Sequence, residues 1–492
     1  MLANPPKKQK RHWQPIIKEL QRLVGKDGVV KRKDELLTYE CDGLASYRQR
    51  PALVVLPRTT EQVAAAVKVC YDNDIPWVAR GAGTGLSGGA LPIEDGVVIV
   101  TARMKRILNV DLANHRITVE PGVINNWVTQ AVSGVGFYYA PDPSSQIICS
   151  IGGNVAENSG GVHCLKYGVT TNHVIGLKVV TPEGSTIDIG GQIQEMPGYD
   201  LTGVFIGSEG TLGIATEITL RILKRPEAIC VLLADFNTIE EAGNAVTGII
   251  SSGIIPAGME MMDNLSINAV EDVVATNCYP RDAGAILLVE LDGLEVEVAA
   301  NKKQIAKICQ QNGARSTTSA NDAETRLKMW KGRKAAFAAA GLLSPNYFVQ
   351  DGVIPRTKLA EVLAEIEALS KESGYRIANV FHAGDGNLHP LILYNEAIEG
   401  ALEEVEKVGG EILKLCVKAG GSISGEHGIG ADKNCYMPDM FSDVDLETMQ
   451  YVREVWNIKG LANPGKLFPT PRSCGEAANA QKMAKIKGAE LF

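Results

Sequence analysis

The sequence predicts an α+β protein built from two main domains. Between residues 51 and 225, short β-type runs alternate with stretches of helical periodicity, and after Arg225-Pro226 further strands alternate with longer amphipathic helices. Glycine, 51 of 492 residues, is concentrated in a few loops, which is typical of places where the backbone approaches another group closely. We expect a helical lead-in at 1–48, a first domain at 49–226, a second domain with a C-terminal return segment at 227–470, and a tail at 471–492.

Individual elements follow from local periodicity. In the first domain, the predicted strands are Leu53–Leu56, Val97–Val100, Arg116–Glu120, Leu177–Val180 and Ile214–Ile222, and the predicted helices are Thr60–Asn73 and Asn125–Ser133. In the second domain, the predicted strands are Ile229–Asp235 and Ala285–Asp292, and the predicted helices are Thr238–Ser251 and Glu295–Gln311. This second pattern is closer to a ferredoxin-like α+β domain than to a wound parallel sheet.

Composition and charge exclude several classes of protein. Hydrophobic residues make up 45% and charged residues 22% of the chain, which is globular usage and not that of a disordered chain. The net charge of −8 argues against a nucleic-acid partner, because phosphate contacts need a basic face. No apolar run approaches the length of a membrane span or of a signal peptide. We expect a cytoplasmic protein, and we consider a peripheral membrane contact through the basic stretch Lys7–Arg11, although a solvated tail is the simpler interpretation.

The ten cysteines contain no C-x-x-C pair, so a zinc ribbon or an iron–sulfur cluster of the usual spacing is not expected. A disulfide framework is also not expected in a chain of this length without a signal peptide.

A glycine-rich loop lies between the predicted strands Leu53–Leu56 and Val97–Val100. Gly83, Gly85 and Gly88 form a G-x-G-x-x-G pattern, which in the common dinucleotide-binding fold opens a helix. Here further glycine and Pro92 follow at once and would break a helix, and the next strand ends without an acidic residue. We therefore predict a nest of backbone N–H groups that holds a pyrophosphate, with a flexible glycine-rich turn as the alternative.

Two more segments of the same kind carry a family resemblance: Ser150–Gly161, which follows Pro141–Ser145, and Ile206–Ile214. With the first loop, they resemble the flavin-binding domain of the vanillyl-alcohol-oxidase and p-cresol-methylhydroxylase superfamily. Within it, residues 40–470 resemble the FAD-binding large subunit of glycolate oxidase and the D-lactate and D-2-hydroxyglutarate dehydrogenases. The resemblance implies a two-part FAD-binding domain of the p-cresol-methylhydroxylase type and a ferredoxin-like α+β cap domain that receives the substrate.

The resemblance also implies which residues bind FAD, with the pyrophosphate on the first glycine loop. These residues are Arg80, Gly81, Ala82, Gly83, Thr84, Gly85, Leu86, Ser87, Gly88, Pro141, Asp142, Ser144, Gly152, Gly153, Asn158, Gly160, Gly161, Glu209, Ile214 and Lys466.

Three of the seven histidines lie in two short C-terminal motifs. His382 and His389 flank a Gly-Asp-Gly-Asn turn that can bring both imidazoles together, and Glu426 adds an oxygen. Two imidazoles and a carboxylate are a common ligand set for a catalytic divalent metal, although a single histidine is more often structural. His427 is a candidate base. The resemblance implies the same roles; zinc is our first choice, with manganese or iron as alternatives.

Arg333 lies in a predicted helix, where the simple interpretation is a solvated basic face. The resemblance implies that it binds the substrate carboxylate, a task suited to the guanidinium group. Relatives that accept 2-hydroxyglutarate carry a hydroxyl and a lysine where this chain has Phe337 and Val349. A second carboxylate would have no partner there, so we expect a small monocarboxylate.

We therefore expect a FAD-dependent dehydrogenase that oxidises glycolate or D-lactate to glyoxylate or pyruvate, with hydride transfer to flavin N5 and proton removal by His427. The resemblance implies a quinone, a cytochrome, an electron-transfer flavoprotein or a partner iron–sulfur subunit as acceptor, and we also consider a homodimer. The alternatives are a D-2-hydroxyglutarate-type dehydrogenase, a non-catalytic FAD-binding subunit, an alkyl ether lipid synthase, a bulky-alcohol oxidase and a zinc hydrolase.

The FAD is predicted to be dissociable. Some members of the superfamily attach FAD through a histidine in the first glycine loop, where this chain has Thr84 and no histidine between residues 12 and 115. Acid precipitation of the purified protein should therefore leave the flavin absorbance in the supernatant. Yellow colour that stays with the precipitate would contradict this prediction.

Overall fold

The computed structural model describes residues 11–191, 193 and 197–469, and it divides into two compact units. The first unit contains the described residues as far as Ser159, then Val169–Lys224, and the C-terminal segment from Glu426. The second contains Gly160–Gly168 and Arg225–Gly425. The predicted tail at 471–492 and most of the basic stretch at 7–11 lie outside the described residues.

Within these residues, the helices are α1 (Trp13–Val24), α2 (Lys33–Leu36), α3 (Thr60–Asp72), α4 (Asn125–Ser133), α5 (Ile151–Glu157), α6 (Cys164–Tyr167), α7 (Leu201–Phe205), α8 (Ile239–Ser251), α9 (Asn264–Val274), α10 (Glu295–Gln311), α11 (Ala323–Leu343), α12 (Leu359–Ser373), α13 (Ala401–Lys418), α14 (Met437–Met440) and α15 (Asp443–Trp456).

The strands are β1 (Val29–Val30), β2 (Leu53–Val55), β3 (Trp77–Arg80), β4 (Val97–Val100), β5 (Ile107–Asp111), β6 (Arg116–Val119), β7 (Phe137–Tyr138), β8 (Val174–Val180), β9 (Thr186–Gly190), β10 (Ile214–Arg221), β11 (Leu223–Lys224), β12 (Ala228–Phe236), β13 (Gly258–Asp263), β14 (Ala285–Gly293), β15 (Ser316–Ala320), β16 (Asn346–Val349), β17 (Gly352–Val353), β18 (Ile377–His382), β19 (Asn387–Leu388) and β20 (Pro390–Tyr394).

The first unit contains two larger sheets. One has the order β1-β2-β4-β3, in which β2, β4 and β3 run parallel and β1 is antiparallel. The other is antiparallel, with the order β5-β6-β10-β8-β9. Helices α1 and α3 cover the parallel sheet, where Leu20, Val67 and Trp77 are fully buried in one core. Burying each such side chain stabilises the fold by about 1.5–3 kcal/mol, so α1 contributes to the core of this unit.

The second unit is built on a sheet of nine described strands with the path β15-β12-β14-β13-β18-β19-β17, to which β20 and β16 are added. Its strand pairs are antiparallel. Helix α8 starts where its sequence predicts, because Thr238 and Glu241 form a capping box that satisfies backbone N–H groups of the first turn. Antiparallel pairing combined with long helices confirms the α+β class.

The first glycine loop is not a dinucleotide-binding turn of the common type. The segment 81–96, described throughout, contains neither helix nor strand between β3 and β4. Gly88 has φ +72°, a left-handed conformation that interrupts regular structure. The predicted irregular backbone after a strand is therefore what the chain forms.

The C-terminal segment packs on the strands of the first unit. The Trp77 N–H donates to Leu461 O at 2.9 Å, and the Asn463 N–H donates to Trp77 O at 2.8 Å, as in an added strand. The sequence predicts a C-terminal return segment within 227–470, and in the structure the residues from Glu426 onward belong to the first unit. The long sequence separation of these hydrogen bonds explains why local patterns did not indicate them.

No helix among the described residues combines the length and the apolar composition needed to cross a membrane.

Asn463 is predicted to hold the C-terminal segment in place. Its Nδ2 donates to Gly89 O at 2.9 Å and to Glu209 O at 2.6 Å, and the residue is 1% exposed. Asn463→Ala leaves two carbonyl oxygens unsatisfied, so we expect a loss of about 1–3 kcal/mol, seen as a lower midpoint of thermal unfolding. Asn268→Ala, which removes exposed hydrogen bonds from α9, is the control and should shift the midpoint less. Equal shifts for both variants would contradict the prediction.

Candidate active site

The first glycine loop begins at the carboxyl end of β3, where Arg80 is the last strand residue. Gly83 has φ +74°, and a Cβ atom there would lie 2.1 Å from the Arg80 guanidinium. Glycine is favoured at this position, because the left-handed φ suits it and a Cβ would also require the Arg80 side chain to move. The Gly43 N–H donates to Gly85 O at 2.8 Å, which holds the far side of the loop.

The second glycine segment contacts the first. Ser150 caps α5, and its Oγ accepts a hydrogen bond from the Gly153 N–H at 3.4 Å. A Cβ on Gly81 would lie 2.1 Å from the same oxygen, so the two segments are in close contact within one unit. Asn125 Nδ2 donates to Pro141 O at 3.1 Å, which ties the proline segment to the same place.

The remaining predicted FAD residues are distributed over both units. Asn158 ends α5 in the left-handed conformation, with φ +51°. Gly160 and Gly161, a few residues later, belong to the second unit. The Ile214 side chain is 4% exposed and packs in the hydrophobic core, so a contact with FAD would have to come from its backbone. Of the other positions, Ala82, Thr84 and Leu86 lie on the first glycine loop and Asp142 and Ser144 on the proline segment. Gly152 lies in the first turn of α5, where the sequence indicates a loop.

A buried charged cluster accompanies these loops in the first unit. Glu209 accepts hydrogen bonds from the N–H groups of Ile429 and Gly430, both at 2.7 Å. Burial raises the pKa of Glu209 to about 7, although these two hydrogen bonds oppose the shift. Burial beside Glu209 raises the pKa of Glu157 well above its usual range. Burial lowers the pKa of Lys466 to about 8, and its Nζ donates to Leu91 O at 3.0 Å.

Two buried hydroxyl groups make this region suited to a polar ligand. In the part of the chain that the structure describes, Ser87 Oγ and Ser208 Oγ are buried and make no hydrogen bond. A buried polar group without a partner is costly, and both lie in segments predicted to bind FAD. The irregular loop backbone together with these hydroxyls fits the polar part of the cofactor.

The second unit brings two predicted metal ligands together. His382 ends β18, His389 follows β19, and the turn between them folds back. Their ring centroids are 5.1 Å apart with perpendicular planes, and both residues are at most 3% exposed. The turn chemistry indicated this convergence, because Gly386, with φ +81°, lies where the chain reverses.

A carboxylate that our sequence reasoning missed lies beside them. Glu260 Oε1 is 2.6 Å from His382 Nδ1, and Glu260 Oε2 is 2.6 Å from Arg333 Nη2. Glu260 is 1% exposed in the strand β13, and it lies directly opposite His382 in the antiparallel pairing of β13 with β18. A glutamate flanked by methionines in Gly258–Asp263 was the available signal, since buried acids are rare without a partner.

Arg333 is not part of a solvated face, which was the simpler interpretation of its helix. It is 2% exposed on α11, whereas its neighbours Lys331 and Lys334 are exposed. The contact with Glu260 is a close ion pair whose angles are not those of a hydrogen bond, and Arg333 Nε makes no hydrogen bond to any described residue. Such a buried donor is suited to an anionic ligand.

Asp351 has the corresponding place beside His389. Its Oδ1 is 3.5 Å from His389 Nε2, and its Oδ2 accepts hydrogen bonds from Ser424 Oγ at 2.7 Å and from the Gly425 N–H at 3.0 Å. The second unit ends at Gly425, so Glu426 and His427 belong to the first unit. Within that unit His427 Nε2 is 4.0 Å from Glu426 Oε1.

Comparisons with known proteins agree with these observations. Residues 51–190 match a family described as FAD binding domain, and residues 225–467 match FAD linked oxidases, C-terminal domain. The chain is 50% identical over 448 residues to the glycolate oxidase subunit GlcD of Escherichia coli K12, covering 91% of this chain and 90% of that protein. It is 33% identical over 416 residues to the D-lactate dehydrogenase of Archaeoglobus fulgidus, covering 84% and 91%.

The structure of p-cresol methylhydroxylase with substrate bound has the same fold, with a TM-score of 0.79 and 16% identity, covering 94% of this chain and 98% of that one. At this identity the likeness concerns the fold alone. The sequence relatives extend over nearly the whole chain, and both domains of FAD-linked oxidases are present in order. The chain therefore belongs to the FAD-linked oxidase family, as a flavin-dependent hydroxy-acid oxidoreductase related to glycolate oxidase subunit GlcD and to D-lactate dehydrogenases.

Proposed function

We propose that this protein oxidises a small 2-hydroxy acid, glycolate or D-lactate, to glyoxylate or pyruvate, with dissociable FAD and a divalent metal, zinc as first choice. The observation that carries the proposal is the buried Arg333, whose Nε has no hydrogen-bond partner among the described residues. The carboxylate of Glu260 lies between its guanidinium and the imidazole of His382. The relatives named for glycolate and D-lactate supply the substrate class.

Three residues would hold the metal: His382, His389 and Glu426. The donor set fits, because two imidazoles and one carboxylate suit zinc and leave room for a substrate oxygen. The contact of His382 Nδ1 with Glu260 also fits, because a metal-binding imidazole typically donates its second N–H to a carboxylate. When bound, the metal supplies a Lewis acid for the substrate hydroxyl and FAD supplies the two-electron acceptor.

Arg333 would bind and orient the substrate carboxylate. A guanidinium buried in the protein attracts an anion far more strongly than one in water, because the surrounding dielectric constant is low. It would thus hold the C2–H bond of the substrate in a fixed orientation, which lowers the entropy cost of the reaction.

The surroundings of the two imidazoles favour a small substrate. The Phe337 ring centroid is 6.0 Å from that of His389, and Phe337 and Val349 both pack against one apolar cluster of the second unit. A second carboxylate on the substrate would meet no cation from these two side chains. This supports glycolate and D-lactate over 2-hydroxyglutarate.

His427 would remove the proton of the substrate hydroxyl. It follows the proposed ligand Glu426 directly, and an imidazole takes up a proton near neutral pH. The cysteines contain no C-x-x-C pair of the kind that binds an iron–sulfur cluster. The electrons would therefore pass from the flavin to a quinone, a cytochrome or a partner iron–sulfur subunit. A partner subunit is supported by the name of GlcD, which is itself a subunit.

Flavin reduction under anaerobic conditions tests the proposal. Addition of glycolate or D-lactate to the purified protein should bleach the visible flavin bands, and D-2-hydroxyglutarate should do so more slowly. Acetate, which has the carboxylate but no hydroxyl, is the control and should leave the bands unchanged. Bands that persist with both small substrates, after FAD and zinc have been added, would contradict the function. Faster reduction by 2-hydroxyglutarate would contradict the substrate size.

His427→Ala should lower the rate of flavin reduction by about 100-fold or more, the usual contribution of a general base. FAD content and zinc content should stay near their wild-type values, since neither depends on this side chain in the proposal. His12→Ala, an exposed histidine whose side chain makes no cap hydrogen bond at α1, is the control. Reduction at the wild-type rate in His427→Ala would place the base elsewhere.

A further inference from the structure

We propose that Glu260 is a positioning residue that fixes His382 for metal binding and Arg333 for substrate binding with one carboxylate. The proposal rests on the function proposed above and extends it to a residue outside the ligand set. Glu260 contacts the imidazole through Oε1 and the guanidinium through Oε2, each at 2.6 Å.

The backbone geometry makes this arrangement specific. Strand β13 pairs antiparallel with β18, and Glu260 and His382 are direct partners in that register. Side chains of directly opposed residues lie on the same face about 4.5–5.5 Å apart at Cβ, so the carboxylate can reach the imidazole. A shift of one residue would turn Glu260 to the opposite face of the sheet and break both contacts.

The carboxylate selects one form of the His382 ring. A carboxylate acceptor at Nδ1 favours the tautomer with the proton on that nitrogen, which leaves Nε2 as the ring atom that can bind a metal. The negative charge of Glu260 also makes the imidazole a stronger electron-pair donor to a metal ion.

The same carboxylate restrains Arg333. The two residues are 2% exposed or less, and a buried charge without a partner is strongly destabilising. Because Nη2 lies against Glu260, the orientation of the guanidinium plane is restricted, and the buried Nε is the donor without a described partner. Glu260 would therefore align the substrate-binding arginine with the imidazole that binds the metal.

A purely structural ion pair is the competing explanation, and the chain provides a matched control for it. Glu290 is a buried glutamate of the adjacent strand β14, 9% exposed, that also contacts one imidazole and one N–H group. Its Oε1 is 3.0 Å from His163 Nε2, and its Oε2 accepts a hydrogen bond from Trp330 Nε1 at 2.6 Å. Neither of these partners is a proposed ligand.

The test is the zinc affinity of the flavin-loaded protein, measured by competition with a chelator. Glu260→Gln should raise the zinc Kd about 10- to 100-fold, the usual effect of losing a carboxylate behind a ligand histidine. Glu290→Gln should leave the zinc Kd at the wild-type value, even if it lowers the thermal unfolding midpoint. The visible spectrum of the cobalt-substituted protein should change in Glu260→Gln alone.

Glu260→Asp keeps the charge and provides a second variant if Glu260→Gln does not fold. Its zinc affinity should lie between those of the wild type and Glu260→Gln. If Glu260→Gln does not fold, Glu260→Asp should bind zinc more weakly than the matched variant Glu290→Asp. An unchanged zinc Kd in a folded Glu260 variant would overturn the positioning role while wild-type flavin reduction still supports the function. A wild-type protein that binds no zinc, manganese or iron would overturn the metal site and the positioning role together.

Discussion

The carboxylate of Glu260 lies between an imidazole and a guanidinium in the interior of the second unit, where an isolated charge would cost several kcal/mol. This requirement for compensation restricts the elements around it. Strand β13 must keep its register with β18, and helix α11 must present Arg333 to the sheet. If His382 or Arg333 moved away, the buried carboxylate of Glu260 would lose a partner in an apolar environment. The arrangement of these buried polar groups thus depends on one acid that belongs to neither of the C-terminal motifs.

The first unit depends on a different feature, which is the close contact between the backbone of the C-terminal segment and that of the first glycine loop. Gly430 is packed so tightly against Ser87 O that a Cβ would lie 2.0 Å from it, and Glu209 closes the same junction by binding two consecutive N–H groups. These contacts join the C-terminal segment to the first glycine loop. The segment that directly follows the proposed ligand Glu426 is therefore anchored in the unit that carries the predicted FAD loops.

Fold and chemistry are separable in this protein. p-Cresol methylhydroxylase has the same fold at 16% identity, so the fold alone does not specify a substrate. This chain carries a small set of buried polar side chains on strands β13 and β18 and on helix α11. They lie on regular elements whose own packing is apolar, which gives polar groups fixed positions in the interior.

Local patterns determined part of this protein from the sequence alone: the seven predicted strands, the four predicted helices, the irregular loop after β3, and the turn that brings His382 and His389 together. These features depend on residues a few positions apart, so periodicity and turn chemistry are sufficient. Only the tertiary structure identified Glu260, the burial of Arg333 and the place of the segment after Gly425. Each of these depends on contacts between residues more than 45 positions apart. The same distant contacts bury charged groups, and this burial shifts their pKa values or requires them to form ion pairs.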